Sequence, residues 1–97
     1  MAISLDSTIV AVPTQVSSNL GEETVILEIG TGVYFGLDAV GASIWRLLQE
    51  PRVVGRVLDA LLDEYDVDVA RCQTDLLRVL AELRAQGLIT VSDGSAR

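Results

Sequence analysis

The side chains able to do chemistry in this 97-residue chain are few and poorly matched to one another. There is no histidine and only one cysteine, Cys72. Zinc sites built from His and Cys cannot be assembled, and neither can Ser-His or Cys-His nucleophile pairs. Asp59, Asp63, Glu64, Asp66 and Asp68 cluster in sequence, but the spacing and central glycine of a calcium loop are missing, so they read as a solvated acidic face. Gly30-Thr31-Gly32 is a Gly-x-Gly fragment lying between two strand-like runs. A phosphate loop would have to open a helix, so this is a hairpin turn. Cys72 falls among apolar residues at helical spacing and reads as a small buried hydrophobe. No catalytic residue, cofactor or metal is predicted, and the chain is not expected to be an enzyme.

Composition narrows the class further. The length allows one domain over 1–97, with a loose tail from about 92 to 97. The 49% apolar content is that of a folded chain, and with only four aromatic residues the core must be aliphatic. Net charge is −7, carried against seven arginines and no lysine. Such a field repels phosphate backbones, so no nucleic-acid partner is expected. Residues 1–6 lack a basic start and a long apolar run, and nothing approaches 18 consecutive apolar residues. Neither a signal peptide nor a membrane span is predicted, and a single cysteine fits a reducing compartment. The expected location is the cytoplasm.

Two halves with different periods must position whatever this domain binds. Thr8–Val12 reads as a first strand stopped by Pro13, and 14–23 as a polar loop. Thr24–Ile29 and Val33–Leu37 read as two further strands joined at Gly30-Thr31-Gly32. In the last of them Val33, Phe35 and Leu37 share the predicted core face, opposite Tyr34 and Gly36. Asp38 is a predicted N-cap for a helix carrying Val40, Ile44, Trp45, Leu47 and Leu48 and ended by Pro51. Gly41 inside it implies a close neighbour. A second helix carries Val53 to Tyr65. A third runs from about Val69 to Gln86, with Gly87 as its C-terminal stop. Leu88–Val91 forms a short closing strand.

Two features of this pattern bear on binding. Cys72, Leu76, Val79, Leu80 and Leu83 centre an apolar arc on the third helix broader than one-sided packing needs, so the helix either packs against both the sheet and another helix, the simpler reading, or keeps part of the arc for a partner. Arg71, Asp75, Arg78 and Glu82 lie opposite, spaced for i, i+4 pairs. In a simple meander, Val33–Leu37 is an edge strand without charge or proline, open to an added strand unless Leu88–Val91 covers it. Three helices beside a small sheet also describe a winged helix. DNA binding would need a basic recognition helix, and Asp75 and Glu82 offset the arginines there.

Three segments in order resemble the PqqD family: 34–48 (YFGLDAVGASIWRLL), 53–67 (VVGRVLDALLDEYDV) and 75–89 (DLLRVLAELRAQGLI). The likeness covers about residues 8 to 91. It implies an α+β, winged helix-turn-helix-like fold, a three-stranded antiparallel sheet followed by three helices. It also implies a non-catalytic recognition element that binds the leader of a ribosomally made, modified precursor peptide as an added strand. By position, the leader-binding residues would be Val33, Tyr34, Phe35 and Gly36 on the strand. On the third helix they would be Asp75, Leu76, Val79, Leu80 and Leu83. Within the family the chain most resembles stand-alone leader-binding proteins of lasso-peptide biosynthesis. The partners implied are the precursor leader, a separate leader peptidase and the cyclase. The alternative is a peptide chaperone of pyrroloquinoline quinone biosynthesis, whose partner is a radical SAM enzyme. A monomer or weak homodimer is expected, since an open edge can pair with its own copy.

Overall fold

The computed structural model describes residues 3–92, and of the expected tail only Ser92 falls within them. Strands β1 (Thr8–Ala11), β2 (Gln15–Leu20), β3 (Glu23–Glu28) and β4 (Val33–Leu37) precede helix α1 (Ala39–Leu47). Strand β5 (Arg52–Val53), α2 (Val54–Glu64), α3 (Val69–Ala85) and β6 (Ile89–Ser92) complete the order. The architecture is α+β, an antiparallel three-stranded meander β2-β3-β4 followed by three helices. A second antiparallel sheet, β5-β1-β6, ties the two ends of the described chain together.

The meander is built from a different set of strands than the sequence suggests. Residues 15–20, expected as loop, form β2, paired with β3 from Gln15↔Glu28 to Leu20↔Glu23. Gly21, at φ +69°, opens the two-residue turn between them, a conformation closed to most side chains. Ser17, Ser18 and Asn19 carry little strand propensity, and burial supplies none of it, because five of the six β2 residues are exposed. What holds β2 is its ladder to β3. Strand β1, expected in the meander, instead pairs with β6 from Thr8↔Ser92 to Ala11↔Ile89. The closing strand therefore does not cover β4, whose outer edge is paired with no other strand among the described residues.

Helix ends follow local chemistry. The Asp38 carboxylate accepts the Gly41 N–H at 2.9 Å, and that of Asp68 accepts the Arg71 N–H at 3.1 Å. Helix α2 has no side-chain cap. Its first amides, on Val54 and Gly55, donate instead to the carbonyls of Ser7 and Leu5, each at 2.9 Å. Helix α3 ends with Gly87 at φ +73°, its N–H on the Arg84 carbonyl and that of Leu88 on Leu83, both at 3.0 Å. This is a Schellman stop, and it turns the chain into β6.

Helix α1 lies on the inner face of the meander, against β3 and β4. Ile9, Ile26, Ile44, Leu48, Val54, Leu61, Leu76, Leu80, Leu83 and Leu88 form an almost wholly buried aliphatic core around Trp45. At about 25 cal/mol per Å² this burial is the main stabilising contribution. Among the described residues, no helix is long and apolar enough to cross a membrane.

Candidate functional site

Strand β4 alternates as its sequence predicts. Leu37 is buried and Val33 and Phe35 half-buried on the inner face, while Tyr34 is 71% exposed on the other. Gly36 also faces outward, and a Cβ placed on it would meet nothing within 4 Å. The edge is open both as backbone and as space. On its inner side lies a groove of about 290 Å³ that separates β4 from α3. Phe35, Gly36 and Leu37 line one wall, and Cys72, Asp75, Leu76 and Val79 of α3 line the other. Helix α1 adds Val40, Gly41 and Ile44, and Tyr65 and Val67 come from the chain between α2 and α3.

Of the residues expected to bind, Phe35, Gly36, Asp75, Leu76 and Val79 meet at this groove. Val33 and Tyr34 lie on the same strand but do not line it. Leu80 and Leu83 have no accessible surface and belong to the core. On a helix crossing between groove and core, a one-residue step turns a side chain by about 100°, so Leu80 points elsewhere than Val79. The sequence reading passed over Val40, Tyr65, Val67, Arg71 and Arg78 as groove residues. For α3 the available signal was the arc around Cys72, Leu76 and Val79, whose flanks are Arg71, Asp75 and Arg78. Those flanks read as a solvent face and are the groove's rim.

The polar groups are disposed unevenly. Arg78 pairs with Glu82 at 3.5 Å, as the i, i+4 spacing predicts, but the expected Arg71–Asp75 pair does not form. The Tyr65 hydroxyl and Ser43 Oγ lie 2.9 Å apart, and Ser43 Oγ donates to Glu64 at 3.0 Å, which holds Tyr65 in the groove wall. Burial, and then the Asp75 carboxylate, pushes the Cys72 thiol above its ordinary value, so it stays protonated and unreactive. Below the strand, the Glu28 carboxylate accepts from the Thr14 hydroxyl and, at 2.9 Å, from the Thr31 N–H. These bonds hold its pKa below the usual carboxylate range and fix the turn into β4. Among the described residues, no group of three or more His, Cys, Asp or Glu could hold a metal ion. An uncharged strand edge beside an apolar groove suits an extended peptide. The edge offers main-chain bonds and the groove receives alternate side chains.

The family model described as Coenzyme PQQ synthesis protein D (PqqD) matches residues 23–89. The chain belongs to the PqqD family. That match starts at β3 and ends in β6, so it contains the open strand, the groove and α3. Among solved structures, "TbiB1 in Complex with the TbiA(beta) Leader Peptide" superposes with a TM-score of 0.76. It is 39% identical, over 82% of this chain and 93% of that one. "Lasso peptide synthetase B1 complexed with the leader peptide" has a TM-score of 0.73 at 21% identity, covering 84% of this chain and 96% of that one, and shares the fold. No curated protein sequence matches.

Proposed function

We propose that this PqqD-family chain captures the leader segment of a ribosomally made precursor peptide as a fourth strand on the outer edge of β4. The observation that carries this reading is the unpaired, uncharged edge of β4 beside an apolar groove lined by α3. The 39% identity to TbiB1, solved with a leader peptide, supports it; a precursor of the lasso class is the reading that the sequence resemblance favours. Val33, Tyr34, Phe35 and Gly36 supply the strand. Asp75, Leu76 and Val79 supply the facing wall, with Leu80 and Leu83 supporting it from beneath.

The protein is a binder and not an enzyme. With Cys72 protonated and no histidine in the chain, the groove has no activated nucleophile. Its contribution is tethering: the held leader raises the local concentration of the attached core peptide at a separate leader peptidase, with the cyclase as a further partner. It works in the cytoplasm as one domain, a monomer or weak homodimer when no leader occupies the edge.

A fluorescence-anisotropy titration with the leader of the precursor encoded beside this chain tests the reading, run in parallel with a DNA duplex of similar length. Saturable leader binding without a DNA response is expected. A silent leader with salt-sensitive DNA binding would overturn it.

A further inference from the structure

Main-chain pairing on β4 is indifferent to sequence, and a strand of five uncharged residues cannot by itself fix where along it a peptide docks. A slip of one residue would reverse every side chain of the added strand, and a slip of two would move each by one subsite. Something outside β4 must set the register. The charges that border the groove are Asp38, Arg71, Asp75, Arg78 and Glu82. Three are already engaged: Asp38 caps α1, and Arg78 pairs with Glu82. Arg71 and Asp75 remain. Among the described residues neither side chain has a hydrogen bond or an ion pair, although their i, i+4 spacing would allow one. Asp75 stands close enough to raise the thiol of Cys72, so its carboxylate lies at the groove wall.

Four residues of helix advance about 6 Å, and two residues of an extended strand advance about 6.6 Å. Opposite charges at Arg71 and Asp75 therefore match side chains two apart on one face of a strand running along the groove. We infer that Arg71 and Asp75 set the register of the bound leader by pairing with an acidic and a basic side chain two residues apart. The inference rests on the proposed leader binding and names what the groove selects: an extended segment with an acid-x-base or base-x-acid pattern. In a chain of net charge −7, Arg71 is the groove's one unpaired cation among the described residues, so an acidic partner there is favoured against the general field.

The test uses the whole protein and the fluorescein-labelled leader of the precursor encoded beside it. Arg71→Gln and Asp75→Asn, both at exposed positions, are each expected to weaken binding about fivefold at low salt, as loosely screened ion pairs would. The swapped double variant Arg71→Asp/Asp75→Arg should bind the native leader poorly. It should recover with a leader whose acid and base are exchanged. Equal affinity of all variants for a leader that the parent protein binds would overturn the register inference alone. So would a bound segment lacking opposite charges two residues apart, or failure of the exchanged leader to rescue the swap. A leader that the parent protein does not bind would overturn the proposed function with it.

Discussion

The side chain of Leu37, at the end of β4, fills the space that a methyl group on Gly41 would need. Its Cδ2 and Cβ lie 2.9 and 3.1 Å from the place of that carbon. The missing side chain in the first turn of α1 lets the helix sit against the strand that carries the open edge. Gly41→Ala would gain about 1 kcal/mol of helix propensity and incur about 1–3 kcal/mol of overpacking. The expected net result is a protein about 1 kcal/mol less stable by urea denaturation, with weaker leader binding because Leu37 is pushed along the groove. A higher denaturation midpoint would show that Leu37 yields freely.

Gly36 gives the complementary case. Space around it is empty, and its backbone is not in the left-handed region, so Gly36→Val should leave stability within about 0.5 kcal/mol. A branched side chain there leaves from the outer face, opposite the groove, so anisotropy should report leader affinity close to that of the parent protein. A loss of about tenfold would show that the peptide reaches onto the outer face.

Leu80→Ala separates core from groove. With no accessible surface, Leu80 should lose about 2–5 kcal/mol on truncation, while the folded fraction binds leader as before. Val79→Ala removes two methyl groups from the groove wall and should weaken binding at a smaller cost in stability. Comparing Kd with the urea midpoint for the two variants decides which leucines and valines of α3 touch the peptide.

The contrast between these two neighbours also shows what could be read from residues alone. The face alternation of Val33–Leu37, the cap at Asp38 and the stop at Gly87 depend on local chemistry, and each was legible. Gly41 was legible as a close approach, though not as an approach to Leu37. The pairing of β1 with β6 joins residues some eighty positions apart, and no local pattern encodes it. Strand β2 escaped notice because Ser17-Ser18-Asn19 has the composition of a loop and is a strand only through its ladder to β3. On α3, hydropathy marked Cys72, Leu76 and Val79 as apolar. It could not say whether Arg71 and Asp75 beside them face bulk water or a groove, because both surroundings admit charge.

Glu28 makes the strand turn sensitive to acid. Its folded pKa is lowered, by the Thr14 hydroxyl first and the Thr31 N–H next, so its contribution to stability is fully present above the unfolded value of about 4.3. It is lost as pH falls through the folded value. Glu28→Gln should therefore melt below the parent protein at neutral pH, and the gap should close as pH falls through the lowered folded value. A gap that persists unchanged into acid would mean that shape, and not charge, holds the turn.

Cys72 offers a reporter without a label. Its thiol is raised by burial and then by Asp75, so alkylation by iodoacetamide near pH 8 should be much slower than in urea. Bound leader should slow it further, and Asp75→Asn should quicken it. Alkylation indifferent to leader would argue against occupancy of the groove wall at Cys72.

Thr8 and Ser92 are cross-strand partners, so the first and last strands of the described residues lie side by side. Antiparallel partners stand about 5 Å apart, less than the span of two extended residues. Before Thr8 the chain is pinned a second time, where the Ser7 and Leu5 carbonyls take the first amides of α2. A pull on that side is borne by the helix as well as by β1. The peptide edge, formed by an internal strand, stands apart from both.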